Sequence, residues 1–267
     1  MHCADRGCER RHKLPKLTTY NPRMAVPGAV LRSFPLLNSL RPESLAELAA
    51  AAQERTVAKR EVVLQKGATA QFLCFLAEGR LQGVDFTVDG REVGLYFLDP
   101  GDYFGELAVI DGRDQPEFIV SVARSRVIFI PRQIVRPLLF SDPSIAEQVG
   151  SKLAKRLRDS AAQRKILGMA NPLQRIAAQL TQLAQQSAQA AQAAKNNAVI
   201  LNVPTHQELA IMINLSRETV TRAFQVLQAK GLVIREGNNL VIQRPDQMTD
   251  VAAGKANLGK DAGDKEP

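Results

Sequence analysis

The sequence predicts an α+β protein with an antiparallel, jelly-roll-like β-roll, a long helix and a C-terminal winged helix-turn-helix domain. Three observations lead to this class: short β-rich runs separated by turn signals in residues 54–131, an apolar stripe through residues 143–169, and two capped helices with a hairpin in residues 204–242. Many short strands at such spacing are typical of a small barrel or sandwich. The predicted segments are a disordered basic arm (1–25), the roll (26–141), the long helix (142–170), the winged domain (171–245) and a disordered tail (246–267).

The composition indicates a globular chain with an uneven basic charge. Its 267 residues include 35 Lys+Arg and 27 Asp+Glu, a net charge of +8. No run of about 18 apolar residues predicts a membrane span, and the start of the chain lacks the apolar segment of a secretory signal. Residues 24–141 hold 13 basic and 14 acidic side chains, whereas residues 142–170 and 171–243 each hold 6 basic and 3 acidic ones. We therefore expect a cytoplasmic protein whose long helix and C-terminal domain meet a polyanion.

Turn signals divide the β-rich region into individual strands. A short helix is predicted before them, over residues 39–52, with Pro42 in its first turn. The pair Asp89-Gly90 lies between two apolar runs and predicts a hairpin, because Gly accepts the positive φ of a type I′ turn. The predicted strands are residues 62–64, 72–76, 81–88, 93–98, 118–122 and 127–130.

A single helix is predicted for residues 143–169. Ser141 or Asp142 can cap it, and Pro143 suits the first helical position. About 27 residues of helix span roughly 40 Å, which is more than a small domain needs, and a narrow apolar seam suits a parallel partner helix. We therefore predict a homodimer joined along this helix; the alternative is a helix that lies across its own roll. The predicted interface residues are Ile145, Val149, Leu153, Leu157 and Ala161.

Two helices joined by a tight turn are predicted in residues 205–231. Thr205 caps the first helix, and Glu208 three residues later completes a capping box. Ser216 caps the second helix, and Gly231 suits the left-handed residue that ends it. A hairpin follows as the wing. Ordinary surface helices rarely show these caps, turn and wing in this order, so the pattern predicts DNA binding.

The second of these helices presents side chains that can read base edges in a major groove. Arg can donate two hydrogen bonds to guanine, and Glu can accept one from cytosine. Backbone amides and polar side chains at a helix N-terminus favour phosphate oxygens. The chain has no Trp and only 5% aromatic residues, so it offers few stacking platforms for unpaired bases, and double-stranded DNA is the expected partner. The candidate DNA-binding residues are Thr205, His206, Gln207, Ser216, Arg217, Glu218, Thr219 and Arg222.

At two places the sequence resembles the Crp/Fnr family of bacterial transcription regulators. Residues 216–222 read SRETVTR, which is similar to the start of that family's recognition helix. Residues 100–108 read PGDYFGELA, which is similar to the phosphate-binding cassette of cyclic nucleotide-binding rolls. The resemblance extends over about residues 30–243.

The resemblance implies a sequence-specific transcription regulator. Such a protein binds a pseudo-palindromic site as a homodimer, and RNA polymerase is an expected partner. By resemblance, Arg217, Glu218 and Arg222 read a G·C-containing half-site. Asn171 stands at the family's hinge before the DNA-binding domain, and the roll is a sensor that a small effector can control.

The same resemblance raises the question of a cyclic nucleotide. In the cassette, the positions of Gly105 and Glu106 hold the phosphate and the ribose hydroxyl, and an Arg further on pairs with the phosphate. Here Gln115 or Pro116 stands at the Arg position, and Glu117 adds a carboxylate. Because a buried phosphate needs a cation, three alternatives stay open: a cyclic AMP-like ligand, another ligand such as a cyclic dinucleotide, or none. The candidate effector residues are Gly105, Glu106, Leu107, Gln115 and Ser160.

Other functions find little support in the sequence. The cysteines Cys3, Cys8 and Cys74 are too few for an iron–sulfur cluster with four ligands, and the histidines lie in the predicted arm or DNA-binding domain. We therefore expect no metal site. The chain contains no P-loop, no GxSxG and no HExxH motif, so we expect no enzyme. The alternative is a regulatory protein that binds a cyclic nucleotide or cyclic dinucleotide and acts mainly through protein partners.

Overall fold

The computed structural model describes residues 26–69, 71–190 and 198–255. The predicted arm, residues 1–25, and the final part of the predicted tail, residues 256–267, lie outside these ranges. Every helix in the described ranges is too short or too polar to cross a bilayer.

The N-terminal half contains two antiparallel four-stranded sheets, which confirms the predicted β-roll. Its strands are β1 (Gln53–Val57), β2 (Val62–Leu64), β3 (Phe72–Glu78), β4 (Leu81–Phe86), β5 (Glu92–Leu98), β6 (Tyr103–Phe104), β7 (Phe118–Ser121) and β8 (Ser125–Pro131). The sheet orders are β1-β8-β3-β6 and β2-β7-β4-β5, so the chain crosses repeatedly from one sheet to the other. Such alternation produces the jelly-roll arrangement.

The first five residues of β3, Phe72–Leu76, are all apolar because both faces of the strand are covered there. Cys74 and Leu76 belong to the core with residues of both sheets, whereas Leu73 and Phe75 belong to the core with the surrounding helices. A strand covered on both faces shows a continuous apolar run instead of alternation. The run Phe-Leu-Cys-Phe-Leu therefore places β3 at the centre of its layer.

The hairpin predicted at Asp89-Gly90 joins β4 to β5, with a different turn. Gly90 has φ +80°, while Asp89 is outside the positive-φ region. The Gly90 N–H donates to Thr87 O at 2.9 Å. A type I′ turn needs positive φ at both central residues, so that detail of the prediction is wrong.

Helices cover one side of the roll and lead out of it. They are α1 (Gly28–Arg32), α2 (Pro42–Ala51), α3 (Glu106–Asp111), α4 (Arg132–Ser141) and the long α5 (Pro143–Leu167), with a 3₁₀ turn at Pro35–Leu37. The Asp142 carboxylate caps α5 by accepting from the Ser144 N–H at 2.9 Å and the Ile145 N–H at 3.3 Å. The single long helix is confirmed, whereas α4, which precedes it directly, was not predicted.

The predicted dimer seam on α5 needs a correction at its N-terminal end. Ile145 is 1% exposed and Val149 is 7% exposed, because both pack into the core between the roll and its helices. Leu153 is partly buried against the same core. These side chains are largely unavailable to a partner subunit, so the first half of α5 does lie across its own roll. Leu157 and Ala161 are exposed.

The C-terminal part contains the predicted helix-turn-helix and its wing. Asn171 caps α6 through its side-chain oxygen, which accepts from the Leu173 N–H at 2.8 Å. Strands β10, β11 and β9 form one antiparallel sheet, in that order. The elements are α6 (Pro172–Ala190), β9 (Ala198–Ile200), α7 (His206–Ile213), α8 (Arg217–Ala229), β10 (Val233–Glu236), β11 (Asn239–Ile242) and α9 (Pro245–Ala252).

Helix α9 corrects the predicted tail. The prediction placed residues 246–267 in a disordered segment, but Pro245–Ala252 forms a helix. Met248 and Val251 are buried in the same core as α6 and α8. A short apolar face with Pro at the first helical position explains why this segment folds onto the domain.

Candidate nucleic-acid interface and effector pocket

Capping determines the geometry of the α7–α8 pair. The Thr205 hydroxyl accepts from the Glu208 N–H at 3.3 Å, and the Glu208 carboxylate accepts from the Thr205 N–H at 2.7 Å. The Ser216 hydroxyl accepts from the Thr219 N–H at 3.1 Å. Between the helices, Asn214 takes a left-handed conformation with φ +51°. Both predicted caps are therefore present, with a tight turn between the two helices.

One face of α8 is buried and the other is exposed at its N-terminal end. Arg217, Glu218 and Arg222 are all exposed. Hydrogen bonds from its own backbone N–H and from Ser216 hold the pKa of Glu218 below its usual range. The carboxylate is thus ionised at neutral pH and can accept a hydrogen bond from cytosine N4. The inner face consists of Val220, Ala223, Phe224 and Leu227.

His206 joins α7 to α8 and is half-buried. Its ring lies 4.6 Å from the Phe224 ring, and its Nδ1 is 2.9 Å from the Thr221 hydroxyl. That hydroxyl donates to Arg217 O at 2.9 Å, so it accepts the Nδ1–H of the imidazole. Burial lowers the pKa of His206, and the positive charges of Arg235 and Arg217 lower it further. The neutral ring therefore carries its proton on Nδ1 and leaves Nε2 as an acceptor.

The wing adds a cation that the sequence analysis missed. Arg235 lies exposed on β10, and its Nε donates to Gly237 O at 3.2 Å at the tip of the hairpin. Its charge is close enough to lower the pKa of His206. In the sequence, this cation could have been recognised from a single Arg within the predicted wing. The predicted phosphate-contact residues Thr205, His206 and Gln207 thus share a region with Arg235, and Gln207 is exposed.

The roll contacts the helix-turn-helix directly. On α5, the Gln163 side chain donates to Met212 O at 2.8 Å. On β5, a Cβ added at Gly94 would lie 3.2 Å from Met212 Cγ and 3.4 Å from Ile211 Cγ2. The Arg80 guanidinium lies 4.3 Å from the Phe97 ring and donates to Asn202 O. Strand β5 and helix α5 therefore support α7, the first helix of the pair.

In the predicted cassette, Gly105 is required by the backbone. It has φ +81°, and a Cβ there would lie 3.2 Å from both Leu64 Cδ1 and Phe72 O. An L-residue is strained at this φ. Gly105 therefore has a structural role whether or not the roll binds a ligand.

Glu106 is paired with an arginine from the long helix. The Arg156 Nη1 donates to Glu106 Oε1 at 2.5 Å. The same guanidinium lies over the Tyr96 ring, with Cζ 4.4 Å from its centroid. The Tyr96 hydroxyl donates in turn to Glu117 Oε1 at 2.5 Å. We call these four residues the cassette cluster; its members come from α3, α5, β5 and the loop before β7.

Glu106 and Glu117 are buried, Tyr96, Arg156 and the neighbouring Lys152 are partly buried, and loss of solvent shifts the pKa values of several of these groups. Burial raises the pKa of Glu117, and it raises the pKa of Tyr96 well above its usual value. Burial also lowers the pKa of Lys152 to about 8. The Lys152 ammonium lies 3.5 Å from the centre of the Tyr103 ring and donates to Tyr103 O. The two cations of this region, Arg156 and Lys152, thus each contact other groups of the protein.

These residues do not fit an anionic cyclic nucleotide. Gln115, at the expected Arg position, pairs through its backbone N–H and C=O with Ala68 O and the Gly67 N–H. Leu107 and Ser160 are exposed, so the structure does not gather the five predicted effector residues around one ligand. A ring phosphate would instead meet the carboxylates of the cassette cluster.

Sequence analysis missed Arg156, Tyr96 and Lys152. A signal existed in the spacing, because Lys152, Arg156 and Gln163 continue the positions of Ile145 and Val149 at intervals of three, four or seven residues. Residues at such intervals share a helix face. The face that begins apolar thus becomes polar where α5 passes the cassette.

Within the described ranges, no group of three His, Cys, Asp or Glu side chains is placed to hold a metal ion.

Comparisons with known proteins agree with both halves of the structure. Residues 54–142 match the family model "Cyclic nucleotide-binding domain", and residues 174–251 match "Crp-like helix-turn-helix domain". The cyclic AMP receptor protein of Thermus thermophilus is 24% identical over 226 residues, which is 85% of this chain and 100% of that protein.

Two solved structures share the fold. FixK2 from Bradyrhizobium japonicum has a TM-score of 0.63 and 20% identity, and the match covers 75% of this chain and 96% of that one. The c-di-GMP responsive regulator CLP from Xanthomonas campestris has a TM-score of 0.58 and 23% identity, with 76% and 99% covered.

A roll followed by a long helix and a winged helix-turn-helix defines a DNA-binding transcription regulator with a cyclic nucleotide-binding-like domain. The two matched ranges together cover more than half of the chain. The protein belongs to the Crp/Fnr family. This result confirms the predicted family, the predicted fold class and the predicted class of function.

Proposed function

We propose that the protein binds a pseudo-palindromic duplex site as a homodimer, with α8 of each subunit in a major groove. The supporting observation is the exposed group of Arg217, Glu218 and Arg222 at the capped N-terminal end of α8. Two such helices address half-sites about one helical turn apart. RNA polymerase is the expected protein partner, and the cytoplasm is the expected location.

Base reading follows from the chemistry of these three side chains. The guanidinium of Arg217 or Arg222 can donate two hydrogen bonds to guanine O6 and N7, and the ionised Glu218 can accept from cytosine N4. Their combination favours a half-site that contains G·C pairs. Thr205, Gln207, Ser216 and Thr219 lie at the two helix N-termini, where amide donors favour phosphate oxygens.

Dimerisation uses the exposed part of α5. Leu157 is 73% exposed, and Ala161 and Leu167 are also exposed on the same helix. Leu157 and Ala161 are four residues apart and share one face. An apolar side chain with this exposure on a long helix is typical of a contact with a parallel copy. The proposed interface therefore begins near Leu153, about two turns later than the sequence predicted.

A titration with a labelled duplex at several salt concentrations tests the docking mode. The affinity is expected to fall at least about tenfold between about 50 and 200 mM salt, because even two phosphate contacts release enough counterions for that change. The titration is run with a library of duplexes, so that the preferred site is identified in the same experiment. An affinity that stays constant over this salt range would contradict binding through phosphate contacts.

We expect DNA affinity to rise as the pH falls from about 8 to about 6. A phosphate near Nε2 favours the protonated ring of His206, so the pKa rises on binding from its lowered value in the free protein. Binding then takes up a proton, and lower pH favours it. Measurements of the dissociation constant across this window check the sign. His206→Gln should remove the dependence and His12→Gln should keep it; the opposite pattern would reject the His206 contact.

A further inference from the structure

The C-terminal end of α7 carries backbone carbonyls that the helix itself leaves unpaired. Such an end also forms the negative pole of the helix dipole. The Ala210 carbonyl accepts from the N–H groups of Asn214 and Leu215 in the following turn. Met212 O and Ile213 O, the last two carbonyls of α7, accept instead from side chains of other elements. The end of α7 is therefore held from outside the helix.

The two donors lie on either side of the short link between α5 and α6. Gln163, near the end of α5, donates from Nε2 to Met212 O at 2.8 Å. Arg175, in the first turn of α6, donates from Nη1 to Ile213 O at 3.0 Å and to Asn214 O at 3.4 Å. Consecutive carbonyls at one helix end thus receive a donor from the long helix and a donor from the helix that follows it.

Arg175 also holds the link itself. Its Nε and Nη2 both donate to Met169 O, at 3.1 and 2.5 Å. A guanidinium presents its N–H groups in a rigid planar fork and stays charged in proteins. Arg175 therefore binds a carbonyl of the link with two nitrogens and the end of α7 with the third. Its positive charge lies at the negative end of the α7 dipole, which strengthens the contact.

These hydrogen bonds lie next to the start of α8. Asn214 is in the turn between the two helices, and α8 begins at Arg217. Ile166, in the last turn of α5, is buried in the same core as α7 and α8. The link region thus sets the position of α8 relative to α5. In the proposed dimer, α5 carries the interface at Leu157 and Ala161, so this position determines the distance between the two α8 helices.

We propose that Arg175, assisted by Gln163, determines which half-site spacing the dimer accepts. The inference rests on the proposed homodimer and its DNA-binding function. Arg175 is a positioning residue, since it acts on DNA through the placement of α8. One added base pair moves the half-sites apart by about 3.4 Å and rotates one against the other by about 35°. Two rigidly held α8 helices therefore fit one spacing, whereas two loosely held helices fit several.

A series of duplexes tests this role with the full-length protein. Each duplex carries two copies of the preferred half-site, at the preferred spacing or with one or two base pairs added or removed. The unmodified protein should lose roughly tenfold or more in affinity at each altered spacing, because the second α8 no longer reaches its half-site. Arg175→Met keeps a stem of similar length without any donor. It should bind all spacings within about threefold of one another and leave the affinity for a single half-site unchanged.

Two further variants complete the comparison. Arg164→Met removes an exposed arginine of α5 close to the same link and should keep the unmodified spacing preference. Arg175→Lys keeps the charge but offers one nitrogen in place of the fork, so its preference should be intermediate. A folded Arg175→Met dimer with the unmodified preference would overturn the proposal. An equal loss at every spacing and at the single half-site would also overturn it, because a purely structural defect gives that result. If Arg175→Met does not fold, an unmodified preference in Arg175→Lys overturns the proposal in the same way.

A distance measurement without DNA separates this inference from the proposed function. A nitroxide label is attached at Gln228→Cys, which is exposed on α8, in a protein with Cys3→Ser and Cys8→Ser; Cys74 is buried and stays. Pulsed electron–electron resonance should give a narrow distribution of distances between the two labels of the dimer, and a broader one after Arg175→Met. Equal widths would contradict the positioning role. The expected widths in a protein that binds no duplex would refute only the proposed DNA-binding function.

Discussion

Arg217→Ala is expected to weaken binding to the preferred duplex by about 1–3 kcal/mol for each half-site, which is roughly 5- to 150-fold. The reason is the loss of two hydrogen bonds to one guanine, made by a side chain that is exposed and close to the capped start of α8. Discrimination at that base pair should relax, so a duplex with A·T there should bind the variant about as well as the original site. Fluorescence anisotropy with both duplexes measures the two effects.

Two control substitutions distinguish the loss of base reading from a general loss of DNA affinity. Arg41→Ala removes the same charge from an exposed position in the roll and should leave the affinity unchanged. Arg235→Ala removes a cation from the wing and should weaken binding about equally for all sequences, as expected for a phosphate contact. If Arg217→Ala reduced binding to all sequences equally, Arg217 would be a phosphate contact and the proposed reading of guanine would be wrong.

The helix-turn-helix could be predicted because its signals are local. The capping box of α7, the Ser216 cap of α8 and the turn depend on residues within three or four positions of one another, such as Thr205 with Glu208. Local hydrogen bonds of this kind do not depend on the rest of the fold. The same holds for the cap at Asp142 and for the hairpin at Gly90. Helices α1, α3, α4 and α9, which were not predicted, have no side-chain cap at their N-termini.

The cassette cluster could not be predicted because it depends on the rotation of α5 about its axis. That rotation is set by Ile145 and Val149, which pack into the core of the roll. In the sequence, their four-residue spacing is shared with Leu157 and Ala161, so one stripe was assigned to the partner subunit. In the structure, α5 packs against its own roll with one face and exposes a second face. The inward face continues through Lys152 and Arg156, and the outward face begins near Leu153.

Leu157→Asp is expected to convert the dimer into a monomer and to reduce the affinity for the full pseudo-palindromic site by roughly 100-fold or more. Leu157 is 73% exposed in the single chain, so the substitution leaves the fold of the subunit intact. In a parallel dimer it would place two carboxylates in an apolar seam, where each must lose its hydration. In the dimer, binding of one DNA-binding domain gives the other a high effective concentration at the second half-site. A monomer loses this advantage.

Comparison of Leu157→Asp with Arg158→Ala shows whether Leu157 acts through the dimer interface. Arg158 is the next residue, is exposed and lies off the apolar stripe, so its removal should leave the dimer intact. Sedimentation velocity gives the oligomeric state, and circular dichroism shows whether α5 is kept. Since the monomer still presents α8, Leu157→Asp should retain weak binding to a single half-site. A Leu157→Asp protein that remained dimeric at low concentration would show that the subunits associate through another surface of the chain.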